Sequence, residues 1–337
     1  MKLLSVILPV YNAEEYVFKA INSILNQSFK DFELIIINDG STDNSLAVIK
    51  EFHDNRILLI DQHNMGLIDT LNLALSLCKG KYIARMDADD IAHPKRFEFQ
   101  LNAFKKDKDL VLCSGGIEMF EMDGFRKKRY YPLSDSDIRS EFLYNSGIVH
   151  PLSMFVGSVV KEHDIKFDKK YKFCEDYKFF YDILKHGKVR NIPKFLLSYR
   201  ILPNSQTSIG VSNALDRYMR ISAIHRYILN EHNIKLSENW SQLHYSLSLS
   251  SEIEKLKINK EFVDYLLDYS RSIFETAKFE IDFSKFSLGA SLGEKFLKII
   301  LFHKRKSSFI VLSRLLFHRF TIMAVFKRLV TILRYEW

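Results

Sequence analysis

Two periods of apolar and polar positions alternate along the first 210 residues. Short apolar runs with the length of strands, each bounded by turn residues, occupy positions 3–8, 32–37, 56–60 and 81–86. Between them apolar side chains recur at helical spacing, first at Val17, Ala20, Ile21, Ile24 and Leu25. Strands and helices that alternate in this way are typical of a parallel sheet. We therefore predict an α/β fold, a mostly parallel sheet with helices on both faces.

Beyond residue 210 the strand pattern disappears and only helical spacing continues, as at Leu215, Tyr218, Met219, Ile221 and Ile224. No uninterrupted apolar segment reaches the roughly 18 residues that suggest a membrane-spanning helix. We predict two parts: an α/β domain over 1–210 and a helical C-terminal region over 211–337, with a basic amphipathic tail over about 291–337.

The excess positive charge of the chain lies in this tail. Between Ser291 and Trp337 ten Lys or Arg residues stand against two Glu residues, which accounts for the whole net formal charge of +8. One stripe of a predicted helix there carries Arg314, His318, Thr321 and Arg328. A basic, aromatic-rich helix suits the surface of an anionic membrane, and the alternative is a tail packed on the protein with solvated charges. No nucleic-acid-binding module accompanies the charge, so we expect no nucleic-acid partner.

The cysteines and the N-terminus indicate in which cellular compartment the protein works. Cys78, Cys113 and Cys174 are scattered and lack Cys-x-x-Cys spacing, which argues against a disulfide framework or a cysteine zinc site and indicates a reducing compartment. The first apolar run is too short for a signal peptide and precedes no small-residue cleavage site, so we interpret it as the first strand.

Acidic residues follow two of the predicted strands. Asp87, Asp89 and Asp90 come directly after the run at 81–86, where open α/β sheets bind their ligands. Three close carboxylates repel one another unless a cation joins them, and Mn²⁺ or Mg²⁺ suits oxygen ligands and often carries a phosphate. The alternative is a solvated turn in which Asp87 caps a helix. Asp39 ends the second run, where a carboxylate either accepts the imide N–H of uracil or serves turn and cap chemistry.

Two familiar nucleotide-binding loops are absent. The turn after the first run contains no glycine, which excludes a Gly-x-Gly-x-x-Gly dinucleotide cradle, and the chain has no Gly-Lys-Ser/Thr phosphate loop. A bound nucleotide must therefore be held by other groups.

The motifs occur in a characteristic order. They are Pro9-Val10-Tyr11-Asn12, Ile37-Asn38-Asp39-Gly40-Ser41-Thr42-Asp43, Asn64-x-Gly66, Gly80-Lys81-Tyr82-Ile83-Ala84 and Asp87-Ala88-Asp89-Asp90. Together they resemble the family 2 glycosyltransferases, whose catalytic domain has the GT-A fold. The resemblance covers about the first 210 residues and implies that 1–210 is this catalytic domain.

The resemblance also implies roles for individual residues on the donor side. Pro9, Tyr11 and Asp39 would bind the substrate, with Tyr11 and Asp39 against the uridine. Asp87 would lie near the ribose and diphosphate, and Asp89 would be the ligand of Mn²⁺ or Mg²⁺.

Further roles concern the acceptor and the leaving group. In the pair Glu175-Asp176 the aspartate would be the catalytic base and the glutamate would orient the acceptor, although two acids at a helix start also stabilise the helix dipole. His150 would line the acceptor or phosphate side. Many relatives carry a histidine where this chain has Leu202, which puts a third protein metal ligand in doubt and leaves Arg200 as the phosphate partner.

These observations predict an inverting glycosyltransferase. It would move a sugar from a nucleotide-sugar donor, a UDP-sugar, to a hydroxyl of a glycan or glycolipid acceptor in bacterial lipopolysaccharide, capsule or exopolysaccharide synthesis. We expect a cytoplasmic protein, peripheral on the inner face of the cytoplasmic membrane. An ordinary aspartate is ionised at neutral pH, so Asp176 would need no unusual pKa. The alternatives are a sugar nucleotidyltransferase, whose glycine- and arginine-rich loop is missing after Leu8, and a non-catalytic membrane-associated assembly protein.

Overall fold

The structure is a computed structural model of the 337-residue chain. It describes residues 2–121, 124, 126–202, 214–277, 284–304 and 307–336. The chain divides into two compact units: Met1–Leu133 with Ile148–Ser212, and Ser134–Gly147 with Asn213–Trp337. The boundary predicted at 210/211 falls among residues 203–213, outside the described residues, and stays a prediction.

The first unit is built around one mixed sheet. Its strands are β1 Leu4–Val10, β2 Phe32–Asp39, β3 Ile57–Gln62, β4 Tyr82–Arg85, β5 Ile91–Ala92, β6 Leu110–Phe120, β7 Arg126–Arg129, β8 Met154–Val156 and β9 Lys188–Arg200. Their order is β3-β2-β1-β4-β8-β6-β9-β5, with β7 on β6. The first four strands of this path run parallel, as do β6 and β9, whereas β8, β5 and β7 pair antiparallel. The predicted α/β fold is confirmed, and the antiparallel strands are additional to it.

Helices cover both faces of the parallel half. In chain order the helices of the first unit are α1 Val17–Leu25, α2 Ser45–Lys50, α3 Leu67–Leu77, α4 Arg96–Lys106, α6 Gly157–Glu162 and α7 Glu175–Leu184, while α5 Asp135–Glu141 belongs to the second unit. Alternate residues of β1, such as Leu4, Val6 and Leu8, form one apolar core with α1 and α4. The opposite face, which includes Ile7 and Ile35, is also fully buried, and α3 contacts both β1 and β2. Burial on both faces explains why these strands read as continuous apolar runs.

The second unit is helical, as predicted for the C-terminal region. Its helices after α5 are α8 Ala214–Glu231, α9 Glu238–Ser248, α10 Ser250–Ile253, α11 Lys260–Thr276, α12 Lys285–His303, α13 Phe309–Leu316 and α14 Arg319–Glu336. The segment Ser134–Gly147, which lies inside the range predicted for the α/β domain, packs in this unit. Within it the Glu141 carboxylate accepts a hydrogen bond from the buried Lys295 ammonium at 3.2 Å.

The tail differs from the predicted helix in which Arg314, His318, Thr321 and Arg328 share one stripe. It breaks between α13 and α14, which are bent by 65° relative to one another. Thr321, predicted on a basic outer stripe, is buried, and its hydroxyl donates a hydrogen bond to the Leu315 carbonyl at 2.5 Å. Among the described residues no single helix has the length and apolar composition to cross a bilayer, although the bent pair together does.

Candidate active site

Three carboxylates lie together where β4 leaves the sheet. One oxygen from each of Asp87, Asp89 and Asp90 lies within 4.8 Å of the others, so the three could share one cation. Burial raises the pKa of Asp89 to about 6, with the neighbouring Asp87 charge adding to the shift. Burial, together with Asp87 and Asp89, raises the pKa of Asp90 well above its ordinary value. Asp89 and Asp90 therefore hold their protons more tightly than free aspartates do, as expected of like charges withdrawn from water.

The end of β9 fastens this acidic loop. The backbone N–H of Arg200 donates to Asp90 Oδ1 at 2.9 Å, and its side-chain Nε donates to the Asp89 carbonyl at the same distance. Its guanidinium also lies over the rings of Tyr16 and Phe120, 4.6 and 4.5 Å from their centroids. Arg200 thus holds the acidic loop in place while bringing a positive charge beside it. Its predicted contact with the donor phosphate remains a prediction.

Arg85, the last residue of β4, is the central charge of the site and was not predicted. Its side chain is buried and pairs with the Asp87 carboxylate. Its positive charge lowers the pKa values of Asp89, Asp90, Glu175 and Asp176, so it lies near all of them. An arginine that interrupts an apolar run directly before an acidic motif is the signal that could have revealed it.

Glu175 and Asp176 begin α7, and the chain approaches them through a strained residue. Phe173 has φ +71°, a conformation that bulky side chains rarely adopt. Burial raises the pKa of Glu175 to about 7, with Asp176 next in effect. Burial also raises the pKa of Asp176, although the Tyr177 N–H donates to its Oδ1 at 2.8 Å. The proposed role of Asp176 requires no unusual pKa, but the pKa is raised in this structure because the carboxyl is withdrawn from water.

Electrostatic coupling joins the two acidic stretches. The Asp87 charge raises the pKa of Asp176, and Arg85 lowers it. These residues are far apart in sequence, yet their charges act on one another, so the fold brings them close together. Asp176 is therefore close enough to Arg85 and Asp87 for both charges to act on its carboxyl, and its role as the base stays a prediction.

Asp39 ends β2, two strands from β4 at the same edge of the sheet. The register of β1 with both neighbours is parallel, so β2 and β4 end at the same edge of the sheet. Ile7 faces Ile35 on one side and Arg85 on the other, so β2 extends four residues beyond the level at which β4 ends. Asp39 Oδ1 accepts hydrogen bonds from Gln62 Nε2 and the Met65 N–H, both at 2.8 Å, and Oδ2 accepts one from the Gly66 N–H at 2.9 Å. The Asn64-x-Gly66 motif thus positions this carboxylate.

Gly40 lets the chain turn beside that motif. It has φ +66°, and a Cβ there would lie 2.5 Å from the Asn64 nitrogen. Only glycine fits this close approach. The backbone therefore requires a glycine after Asp39, whatever ligand Asp39 binds.

The loop after β1 presents Tyr11 to solvent. Its side chain is 52% exposed, while Pro9 is partly buried near the end of β1. Asn12 Oδ1 accepts from the Thr42 N–H at 2.8 Å, and the Asn12 N–H donates to Ser41 Oγ at 3.0 Å. The loops after β1 and β2 are therefore tied to each other, and this holds an exposed aromatic ring near Asp39.

His150 lies in an aromatic setting. Its ring is 5.6 Å from that of Phe167 and 5.7 Å from that of Phe180, measured between centroids. Burial, and then the Arg85 charge, lower the pKa of His150 well below its ordinary value, so the imidazole is neutral at pH 7. Leu202 is described, but residues 203–213, which follow it, lie outside the described residues.

Comparisons with known proteins identify the family. The model of glycosyl transferase family 2 matches residues 5–163. An uncharacterized glycosyltransferase of Haemophilus influenzae is 36% identical over 219 residues, which cover 61% of this chain and 68% of the relative. The chain belongs to glycosyl transferase family 2.

Solved structures show that this glycosyltransferase shares its fold with others. The crystal structure of residues 1–349 of S. aureus TarS in complex with UDP-GlcNAc aligns with a TM-score of 0.58 and 18% identity, covering 99% of this chain and 89% of that one. The mannosyltransferase PcManGT of Pyrobaculum calidifontis, in complex with GDP-Man and Mn²⁺, aligns at 0.53 and 12% identity, covering 100% and 87%. The GT-A fold predicted from the motifs is confirmed.

Within this glycosyltransferase the site carries polar atoms that lack protein partners. Among the described residues, buried atoms with no hydrogen-bond partner include Arg85 Nε and Nη1, Asp90 Oδ2, His150 Nε2 and Glu175 Oε2. Besides Arg85 itself, these residues are Asp90, His150 and Glu175, and the Arg85 charge lowers the pKa of each of the three. Leaving buried donors and acceptors unpaired costs about 1–3 kcal/mol each. Such a group of atoms is therefore typical of a site that a polar ligand completes.

The acidic cluster fits a divalent cation of the kind that GT-A enzymes use. Its ligand atoms are all carboxylate oxygens, which Mg²⁺ and Mn²⁺ prefer. Asp89 and Asp90 would supply ligands from the loop. Asp90 Oδ2 is buried and has no hydrogen-bond partner among the described residues, so it is available to bind a cation. Asp87 already pairs with Arg85, so it would join a cation with its other oxygen.

Proposed function

We propose that this glycosyltransferase transfers a sugar, with inversion, from a UDP-sugar donor to a hydroxyl of a glycan or glycolipid acceptor. The observation that carries the proposal is the convergence of two distant acidic stretches on Arg85, with unpartnered buried atoms around it. A structural acidic cap would have its polar atoms satisfied within the fold. UDP-GlcNAc in the S. aureus neighbour supports the choice of nucleotide.

Uridine would lie between Tyr11 and Asp39 in this proposal. The exposed Tyr11 ring offers a stacking surface for the base. A carboxylate has about four acceptor sites, and Asp39 uses three of them within the protein. The remaining site on Oδ2 accepts the imide N–H of uracil, a donor that cytosine lacks at this ring position.

Asp176 is the proposed catalytic base. It takes the proton of the acceptor hydroxyl while that oxygen attacks the anomeric carbon on the face opposite the leaving group, so configuration inverts. A raised pKa makes its carboxylate a stronger base than a free aspartate. The Arg85 charge lowers the pKa of Asp176 and so opposes part of this shift. Glu175, with a pKa of about 7, orients the acceptor beside it.

The leaving diphosphate develops negative charge next to two arginines. Arg85 and Arg200 both lie at the acidic loop and offset this charge, and Arg200 also holds the loop backbone still. Asp89 and Asp90, with Asp87, would hold Mn²⁺ or Mg²⁺. When bound, the cation acts as a Lewis acid on the diphosphate oxygens. The neutral His150 would line the phosphate side without adding charge.

The proposed setting is the assembly of a bacterial surface polysaccharide, that is lipopolysaccharide, capsule or exopolysaccharide, on the cytoplasmic side of the membrane. The order of motifs supports the polysaccharide class, and the basic tail supports the membrane.

A donor screen tests the proposal. The purified chain is incubated with a panel of UDP-sugars and with GDP-mannose, each with Mn²⁺ or with EDTA, and the midpoint of thermal unfolding and the release of nucleotide are measured. We expect one UDP-sugar with Mn²⁺ to raise the midpoint and to release UDP slowly even without acceptor. A shift with GDP-mannose alone would overturn the choice of nucleotide, and no response to any donor would overturn the proposed activity.

A further inference from the structure

The last two helices and the turn between them expose a set of large apolar side chains. We name it the apolar stripe: Phe309, Ile310, Phe317, Ile322, Val325, Phe326, Leu329 and Leu333. These side chains are between 44% and 77% exposed. On α14 the stripe recurs every three or four residues, so it forms one face of that helix. A large exposed apolar surface of this kind marks an interaction site rather than ordinary surface.

The opposite face of α14 is fixed to the helical unit. A Cβ on Gly293 of α12 would lie 1.9 Å from the Phe320 carbonyl oxygen, so only glycine permits this close crossing. Lys327 pairs with Asp137 at 3.0 Å, and both side chains are mostly buried. Because one face of α14 is occupied by protein, only the face that carries the apolar stripe is available to a partner.

Arginines flank the apolar stripe. At 100° per residue, Arg319 and Arg334 lie on one side of the row formed by Ile322, Phe326 and Leu329, and Arg328 lies on the other. All three arginines are exposed, although Arg328 also pairs with Glu294 at 2.9 Å. An apolar face bordered by guanidinium groups matches the acyl boundary and the phosphates of a lipid surface.

We propose that the apolar stripe docks on the surface of a bilayer that contains anionic lipids. The apolar side chains would enter the boundary between headgroups and acyl chains, and Arg319, Arg328 and Arg334 would contact lipid phosphates. A second copy of the chain is the competing occupant. Pairing two such faces would bring together two tails that each carry the excess positive charge of the protein, whereas an anionic surface complements it.

Vesicle binding by the full-length chain tests this inference without any sugar transfer. The probes are vesicles of phosphatidylcholine alone and of phosphatidylcholine with about a third phosphatidylglycerol, at 0.15 M salt. We expect binding to the anionic vesicles at least about tenfold tighter than to the neutral ones. The double variant Phe326→Glu/Leu329→Glu should lose binding to both by at least about tenfold.

The matched control is Leu215→Glu/Met219→Glu, which adds the same two charges at exposed apolar positions of α8 outside the apolar stripe. It should bind like the unchanged protein. Arg319→Gln/Arg334→Gln should weaken binding to anionic vesicles by about fivefold per charge and leave neutral vesicles unaffected. Equal losses in the stripe and control variants would overturn the inference. The inference would also be overturned if light scattering showed that the unchanged protein is a dimer that does not bind vesicles and that the stripe variant is a monomer.

Discussion

Two buried polar clusters, one in each unit, differ in how far their atoms are satisfied. In the helical unit, His244 bridges the Tyr269 hydroxyl at 2.5 Å and the Leu143 carbonyl at 2.6 Å, and the Tyr144 and Tyr269 hydroxyls share a hydrogen bond of 3.0 Å. In the sheet unit, the cluster around Arg85 leaves buried atoms of Arg85, Asp90 and Glu175 without partners among the described residues. The side chains of the first cluster find these partners within the fold, whereas the second cluster has the unpartnered charged atoms expected of a site that a polar ligand completes.

The difference shows that buried polar groups indicate a functional site when their hydrogen bonds are left unmade within the fold. Burial lowers the pKa of His244 well below its ordinary value, so this cluster is neutral and its hydrogen bonds hold Ser134–Gly147 to the helices. The Arg85 cluster instead concentrates opposite charges and raises carboxyl pKa values. Ligands and pH should therefore act on the second cluster and leave the first unchanged.

Removing the central arginine should have the largest effect. In Arg85→Met the surrounding carboxylates lose their buried counter-charge, so we expect the free energy of unfolding to fall by about 3–5 kcal/mol in EDTA. Denaturant unfolding measures this loss, and Mn²⁺ with UDP should restore part of it, since a cation replaces the missing charge. A variant as stable as the unchanged protein would show that Arg85 is not the centre of the cluster.

The proposed metal ligand is the next target. Asp89→Asn should weaken Mn²⁺ binding by at least about 100-fold and reduce sugar transfer in proportion, because one charged oxygen leaves the cluster. Titration calorimetry measures the affinity. Asp109→Asn, at an exposed aspartate paired with Lys188, is the control and should bind Mn²⁺ normally. Equal affinities in the two variants would place the cation elsewhere.

The satisfied cluster should respond in the opposite way. His244→Phe removes the partner of the Leu143 carbonyl and one partner of the Tyr269 hydroxyl, at a cost of about 1–3 kcal/mol in unfolding free energy. The kcat/KM of the folded protein should not change. A large loss of kcat/KM with unchanged stability would contradict a purely structural role for this cluster.

The last expected effect, similar in size to that of His244→Phe, concerns pH. Glu175 has a pKa of about 7 in the folded chain and an ordinary value near 4.5 when unfolded, so the folded state keeps its proton longer. This group therefore removes stability as pH rises from about 4.5 to about 7. Glu175→Gln should abolish that loss, worth about 1–3 kcal/mol, when midpoints of unfolding at pH 5 and pH 8 are compared in EDTA. An unchanged pH dependence would show that Glu175 is ionised throughout.

The sequence predicts the parallel half of the fold well because its strands are buried on both faces and read as apolar runs. It predicts the acidic residues because motifs mark them. It does not reveal that Asn64-x-Gly66 supplies the N–H groups that hold Asp39, since backbone donors carry no side-chain signature. Arg85 was missed for a related reason, because its importance comes from two acidic stretches that only the fold brings together.

The tail shows a different limit of sequence patterns. A helical stripe through Arg314, Thr321 and Arg328 assumes one continuous helix, but the chain breaks after Leu316 and turns Thr321 inward. The face left outside is the apolar stripe. Periodicity therefore predicts that a helix is amphipathic, while packing against α12 decides which of its faces is buried.

The most direct test of the central claim is the behaviour of Asp176→Asn with the UDP-sugar identified in the donor screen and Mn²⁺. Donor affinity by titration calorimetry and release of UDP are measured on the same preparation. We predict donor binding at least as tight as in the unchanged protein and release of UDP slower by at least about 100-fold, because the base is lost while the nucleotide site is intact. Release of UDP at the unchanged rate would contradict the assignment of Asp176 and the single cleft on which it depends.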